Sequence, residues 1–170
     1  GALYHLGYIY SESQQVPKDM GLAIYYYAKA AALDHKGAQY ELGEMYISKK
    51  YLDIKKAIHY YNLAIKNNNF WAAHRLGVIY LFSTYVQKDI NKEISFMKMA
   101  ADNGVPNAQY LLGIIYSCDF YTKHDASNCI HYVTLAANHN FPPAQYLLGI
   151  LHYKGFFDKK RNIKKKQYLI

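Results

Sequence analysis

The sequence of 170 residues predicts an all-α fold, a right-handed α/α superhelical solenoid of antiparallel helix pairs. A Leu-Gly pair recurs five times with spacings of 36, 34, 36 and 36 residues, and its glycines are Gly7, Gly43, Gly77, Gly113 and Gly149. A period of this length is typical of helical repeats, in which each repeat covers the apolar face of the next. Hydrophobic residues make up 52% of the chain and charged residues 19%, which indicates a folded chain.

The first block of each repeat, called helix A, keeps small and apolar residues on one helical face. Alanine stands five residues before each glycine, at Ala2, Ala38, Ala72, Ala108 and Ala144. Three residues after each glycine stand Tyr10, Tyr46, Tyr80, Tyr116 and His152. Residues at these spacings lie along one side of an α-helix, so each block is predicted to be a helix.

The second block, called helix B, also has helical spacing. It begins at Ala23, Ala57, Glu93 and Cys129, and an aromatic follows three residues later at Tyr26, Tyr60, Phe96 and Tyr132. An aspartate four residues earlier can cap the helix, at Asp19, Asp53, Asp89 and Asp125. Residue types that tolerate the left-handed conformation follow each block, at Asp34, Asn68, Gly104 and Asn140.

The glycine of each Leu-Gly pair lies inside a predicted helix, where it costs roughly 1 kcal/mol relative to alanine. If helices A and B pack as antiparallel pairs, a side chain at this position would hold the two backbones apart. We therefore expect the glycine to permit close packing of helix A on helix B.

The pattern Ala-x3-Leu-Gly-x2-Tyr, followed by Val-x2-Asp-x3-Ala and a closing Ala-Ala, resembles the Sel1-like repeat. That family is related to the tetratricopeptide repeat and has a longer loop between its helices. The clearest copy runs from Ala2 to Ala31, with Val16 and Asp19 in its loop. The resemblance covers essentially the whole chain as one repeat domain, with repeats at 1–37, 38–71, 72–107 and 108–143 and a truncated fifth repeat with a basic segment at 144–170.

The resemblance implies a non-enzymatic scaffold that binds protein or peptide partners in a concave groove lined by helix A. By analogy with tetratricopeptide stacks, the residues three before and one after each glycine face this groove. The first column is Tyr4, Tyr40, His74, Tyr110 and Tyr146, and the second is Tyr8, Glu44, Val78, Ile114 and Ile150. An aromatic and aliphatic stripe suits an extended peptide or a partner helix. The alternative is that the tyrosines pack between adjacent repeats.

Two cellular settings are compatible with the resemblance. One is the adaptor of an endoplasmic-reticulum ubiquitin ligase that recruits misfolded proteins for degradation, which would place the chain in the lumen. The other is a bacterial-type signalling or host-interaction scaffold, which is compatible with the cytosol. The sequence does not decide between these settings.

An RNA-binding helical repeat is a further alternative, because the net charge is +8 and most of it lies near the C-terminus. Residues 154–170 hold seven Lys or Arg against Asp158, including the runs 159–161 and 164–166. Such a run can contact phosphates. The two groove columns contain no Lys or Arg, however, so the sequence disfavours nucleic acid as a partner.

No pattern in the sequence predicts catalysis, a cofactor or a metal site. The nearest cluster of metal-ligating residue types is Cys118, His124, Cys129 and His131, whose spacings match no common zinc arrangement. Cysteine-rich relatives link helices A and B, which would pair Cys118 with Cys129; the alternative is a small buried thiol at Cys129. No apolar run approaches the roughly 20 residues of a membrane span.

Overall fold

The computed structural model describes residues 1–14, 16–82, 84, 86–87, 89–117 and 125–153. Within them the regular secondary structure is α-helical, which confirms the predicted helical-repeat fold. Helices A are α1 (Ala2–Glu12), α3 (Lys36–Ile47), α5 (Phe70–Phe82), α7 (Pro106–Ser117) and α9 (Pro142–Tyr153). Helices B are α2 (Met20–Ala31), α4 (Ile54–Lys66), α6 (Ile90–Asp102) and α8 (Ala126–Asn138). The predicted fifth helix B lies outside the described residues.

The chain forms two compact units. The first spans Gly1–Asn103 and contains α1 to α6, and the second begins at Gly104 and contains α7 to α9. Within each unit, every helix packs against the helix that follows it in the chain. In the first unit α3 also contacts α5, so the A helices of the second and third repeats are neighbours.

The four predicted aspartates cap the four B helices, as the sequence indicated. The Asp19 carboxylate accepts hydrogen bonds from the backbone N–H groups of Gly21 and Leu22. The other three each accept one from a residue three positions later. These bonds satisfy N–H groups that have no partner within the helix.

The residues after the B helices also adopt the predicted conformation. The backbone φ angle is 56° at Asp34, 59° at Asn68, 57° at Asn140 and 81° at Gly104. After α2 the N–H of His35 donates to the carbonyl of Ala30, and that of Asp34 donates to Ala31. This pair of bonds satisfies carbonyls at the helix end and turns the chain into the next helix A.

A helix B side chain sits directly on the repeat glycine in each of the first four repeats. A methyl group at Gly7 would lie 2.6 Å from the ring of Tyr27, and one at Gly77 would lie 2.8 Å from Met97. Gly43 faces the ring of Tyr61 in the same way, and Gly113 faces Val133. The expected close packing is therefore present, but the group that fills the space is mainly a side chain of helix B rather than its backbone.

The side chains that meet the glycines form the centre of the core. Tyr27, Tyr61, Met97 and Val133 are each at most 1% exposed. Around them lie buried leucines and alanines of helix A, namely Leu42, Leu76, Leu112, Ala38, Ala72, Ala108 and Ala144. Each glycine thus makes room for a large buried side chain, and the apolar area removed from water offsets the low helix propensity of glycine.

Stacked aromatic pairs join helices A and B beside this contact. The residue three after each glycine stacks on the aromatic of its own helix B, in the pairs Tyr10–Tyr26, Tyr46–Tyr60, Tyr80–Phe96 and Tyr116–Tyr132. The ring centroids are 5.7 to 5.9 Å apart, and the planes differ by 10° or less. The same geometry in four repeats accounts for part of the high tyrosine content.

We expect alanine to be less tolerated at Gly43 than at Gly77. The Tyr61 ring is buried and rigid, so it cannot move away from an added methyl group, whereas the side chain of Met97 is flexible. Gly43→Ala should lower the free energy of unfolding by about 1–2 kcal/mol, because overpacking outweighs the gain in helix propensity. Gly77→Ala should be closer to neutral. Urea unfolding followed by fluorescence of Trp71, the single tryptophan, measures both.

A double-mutant cycle separates this contact from general effects of the substitution. In a Tyr61→Met background, which copies the methionine of the third repeat, Gly43→Ala should cost less than in the wild type. An equal cost in both backgrounds would show that the ring does not exclude the methyl group.

Candidate functional site

Three tyrosines of the first predicted column are half-buried and contact other aromatic rings. Tyr4 stacks on the imidazole of His35 with centroids 4.5 Å apart and also lies 5.6 Å from the Tyr27 ring. Tyr40 lies 5.9 Å from Tyr61. Tyr110 packs at 5.5 Å against Phe141, in the turn after α8. Each of these contacts joins two residues of the same predicted repeat, so the three tyrosines contribute to packing within their own repeats.

The other two members of the first column have opposite environments. His74 is 8% exposed, and its Nδ1 is buried without a hydrogen-bond partner. Burial, together with the charge of Arg75, lowers the pKa of His74 to about 4, so its imidazole is neutral at pH 7. Tyr146, in contrast, is 75% exposed.

The second predicted column stays accessible on the A helices. Tyr8 is 51% exposed, and the aliphatic members Val78, Ile114 and Ile150 are partly exposed. Tyr8, Val78 and Ile114 follow directly after glycines that a helix B side chain contacts, so that packing fixes their position on the helix. The column therefore presents aromatic and aliphatic surface in both units.

Glu44, the charged member of the second column, joins two repeats through an ion pair. Both nitrogens of the Arg75 fork, Nε and Nη2, donate to the two carboxylate oxygens of Glu44. The hydroxyl of the buried Tyr61 also donates to Glu44. Bidentate pairs of this kind are stronger and more directional than single contacts. The pair fixes α3 against α5 and raises the pKa of Arg75, mainly through its hydrogen bonds to the carboxylate.

Burial and the Glu44 carboxylate raise the pKa values of two neighbouring groups on α3. Burial, and then the negative charge of Glu44, raise the pKa of Tyr40 to about 12. Burial and the same carboxylate raise the pKa of Glu41, one turn earlier on α3. The hydroxyl of Tyr40 is therefore a neutral hydrogen-bonding group at physiological pH.

Sequence reasoning missed buried glutamines of helix A that hydrogen-bond to residues at the ends of helices B. Gln39 and Gln109 are buried, and the Gln39 side-chain amide donates to the carbonyl of Ala31. The Gln109 oxygen contacts the His139 ring at 3.0 Å. A glutamine four residues before the glycine in three of the five repeats was the available signal. Arg75 was also missed, because it lies outside both predicted columns.

The remaining predicted features lie partly outside the described residues. The basic segment 154–170, Cys118 and His124 are outside them, and Cys129 is a buried free thiol whose pKa is raised by burial. Within the described ranges, no three His, Cys, Asp or Glu side chains are arranged to hold a metal ion. No helix in the same ranges has the length and apolar content needed to cross a bilayer.

We expect unfolding stability to fall in mild acid because of His74. Its pKa is about 4 in the folded chain and about 6.5 as a free side chain, so between these values only the unfolded chain takes up the proton. From pH 7 to pH 5 this single group should remove about 2 kcal/mol. Urea unfolding at both pH values, followed by Trp71 fluorescence, measures the loss; Trp71 lies edge-on to His74, with ring centroids 6.4 Å apart.

His74→Tyr is the matched variant, because tyrosine occupies this position in the other four repeats. The variant should lose less stability than the wild type between pH 7 and pH 5. The difference isolates His74 from groups common to both chains, including Glu41, Glu44 and Arg75. Identical losses in the two chains would contradict the assignment.

Comparisons with known proteins agree with the repeat geometry. The Sel1 repeat family model matches residues 1–35, 37–69, 72–105, 106–141 and 142–165. No curated protein matches the chain.

Several solved structures are similar. A Sel1 repeat protein from Oxalobacter formigenes matches with a TM-score of 0.78 and 24% identity, over 98% of this chain and 67% of that one. The protective antigen c5321 of uropathogenic Escherichia coli, described as displaying an SLR fold, matches with a TM-score of 0.79 and 25% identity. This match covers 91% of the present chain and 33% of the antigen.

A more distant match is the immunity protein Pa5087 of Pseudomonas aeruginosa, with a TM-score of 0.57, 22% identity, and coverage of 84% of this chain and 53% of that one. The present chain therefore spans only part of each of these proteins. The family model accounts for all five Leu-Gly pairs, and the capped, glycine-centred helix pairs supply the matching architecture. The chain belongs to the Sel1 repeat family.

Proposed function

We propose that the chain is a non-enzymatic scaffold that binds protein or peptide partners on the surface formed by its A helices. Proteins built from Sel1 repeats are commonly protein–protein interaction scaffolds. The observation that carries the proposal is the second column, where Tyr8 and Val78 in the first unit, and Ile114 and Ile150 in the second, remain accessible. Accessible apolar side chains at regular spacing favour a protein partner over a small molecule.

The first column contributes less to this surface than its sequence suggested. Ring packing partly buries three of its members, so each of them exposes only part of its ring. They are Tyr4, Tyr40 and Tyr110. Tyr8 and Tyr146 have the largest exposed fractions among the ten predicted groove residues. They are therefore the tyrosines that we propose contact the partner most extensively.

We do not assign the scaffold to one cellular pathway. The endoplasmic-reticulum adaptor role finds no support in the comparisons, and the three solved structures described above come from bacteria. We therefore propose the scaffold role without an assigned compartment. We do not propose RNA as a partner, because the two groove columns contain no Lys or Arg and Arg75 beside them is already paired with Glu44.

We expect the amount of partner recovered with the double variant Tyr8→Ala, Tyr146→Ala to be at least fivefold lower than with the wild type. Both side chains are exposed, so their loss should remove contact area without opening the core. The measurement is affinity purification with crosslinking from the native host, followed by mass spectrometry. Circular dichroism verifies that helical content is unchanged.

The matched control is Tyr25→Ala, which removes a tyrosine that is 49% exposed on α2, a helix B. It should retain the partner at the wild-type level. Equal retention by the double variant and the wild type would contradict the proposal. Substituting Tyr40 and Tyr110 would be a poorer test, because their ring contacts would be lost as well.

A further inference from the structure

One cavity in the first unit, here called the loop pocket, lies where the third repeat meets the short loop of the second. It has a volume of about 420 Å³ and is bounded by the end of α3, the start of α4 and the last two turns of α5. Its apolar lining is Ile47, Leu52, Ile54, Val78, Ile79 and Phe82. Its size and lining are those of a site for one or two large apolar side chains.

Two of the lining residues are exposed apolar side chains at positions that are polar in other repeats. Phe82 is 66% exposed and stands five residues after its glycine, where the first two repeats have Glu12 and Ser48. Leu52 is 44% exposed and stands just before the capping aspartate, where the first repeat has Lys18. The third and fourth repeats hold Lys88 and His124 at that second position. Neither residue is needed for the repeat fold.

The loop beside the pocket is shorter than its counterparts. Twelve positions separate glycine and capping aspartate in the first, third and fourth repeats, and ten separate Gly43 from Asp53. The pocket thus coincides with the one loop in which the repeat pattern is shortened.

The charges around the pocket are positive. Residues 48–56 hold four lysines against Asp53, whereas the corresponding residues 12–22 of the first repeat hold Lys18 against Glu12 and Asp19. Lys49 lines the pocket and has no ion-pair partner, and no acidic side chain lines it. The guanidinium of Arg75, also in the lining, is already held by Glu44. A carboxylate from outside would therefore meet an unpaired cation beside apolar surface.

We propose that the loop pocket binds one bulky apolar side chain, aromatic or long aliphatic, from an acidic segment of a partner protein. Phe82 and Leu52 bury the apolar side chain, and Lys49 pairs with a carboxylate next to it. The inference rests on the proposed scaffold function, because Val78 belongs both to the pocket and to the helix A surface. It adds the chemical class of the partner segment and a point of attachment for it.

The test begins with a displayed library of random 12-residue peptides selected on the wild-type chain. Binders that also bind the double variant Leu52→Lys with Phe82→Glu are removed. This variant should fold, because the first repeat carries lysine and glutamate at the same two positions. Circular dichroism checks its helical content. The remaining peptides should share an aromatic or long aliphatic residue flanked by Asp or Glu.

Affinities of an enriched peptide then test the individual contacts. Phe82→Glu, Leu52→Lys and Lys49→Glu should each weaken binding at least tenfold. The matched control Leu33→Lys, which removes a leucine that is 74% exposed elsewhere on the same unit, should leave binding unchanged. Replacing the central apolar residue of the peptide with alanine should abolish binding.

Three outcomes would overturn the inference. The first is an absence of peptides that depend on Leu52 and Phe82, and the second is enrichment of peptides without acidic residues. The third is that light scattering shows a dimer that Phe82→Glu converts to a monomer, since the occupant would then be a second copy of the chain. Peptides or native partners that depend on Tyr8 and Tyr146 but not on the pocket would leave the scaffold function standing alone.

Discussion

The contact between the repeat glycine of helix A and one large side chain of helix B is the constraint on which the rest of the fold depends. Tyr27, Tyr61, Met97 and Val133 differ in shape, yet each occupies the space that a missing Cβ leaves open. The stacked aromatic pair lies beside this contact, and an aspartate caps the start of each described helix B. Packing therefore outweighs the intrinsic preference of glycine against helices.

The same contact determines which side chains remain available for binding. Helix A is held at its glycine, so the residue after the glycine lies at the edge of the packed face and stays accessible. In the second repeat this residue is Glu44, which is instead used to join α3 to α5 through Arg75. The helix A surface is thus mostly aromatic and aliphatic, interrupted by one ion pair that is satisfied within the protein.

Much of the fold could be predicted from the sequence because its determinants are local and repeated. Leu-Gly spacing, the capping aspartates and the left-handed residues Asp34, Asn68 and Asn140 each act within a few residues of their own position. The candidate surface was harder to predict, because burial depends on what a neighbouring repeat contributes. Tyr40 and His74 occupy equivalent positions, yet Tyr40 is half-buried against Tyr61 whereas His74 is 8% exposed and lies near Glu44 of the preceding repeat. The Glu44–Arg75 pair joins residues 31 positions apart and has no local signature.

The shortened loop of the second repeat has a wider consequence for proteins built in this way. Loops between helices A and B lie away from the glycine contact, so their length can vary while the core keeps its packing. In the second repeat the loop is two residues shorter and lies beside the loop pocket, while the helix pairs on either side of it are intact. Loop length is therefore a feature that a repeat array can change at one repeat without adding or removing a structural element.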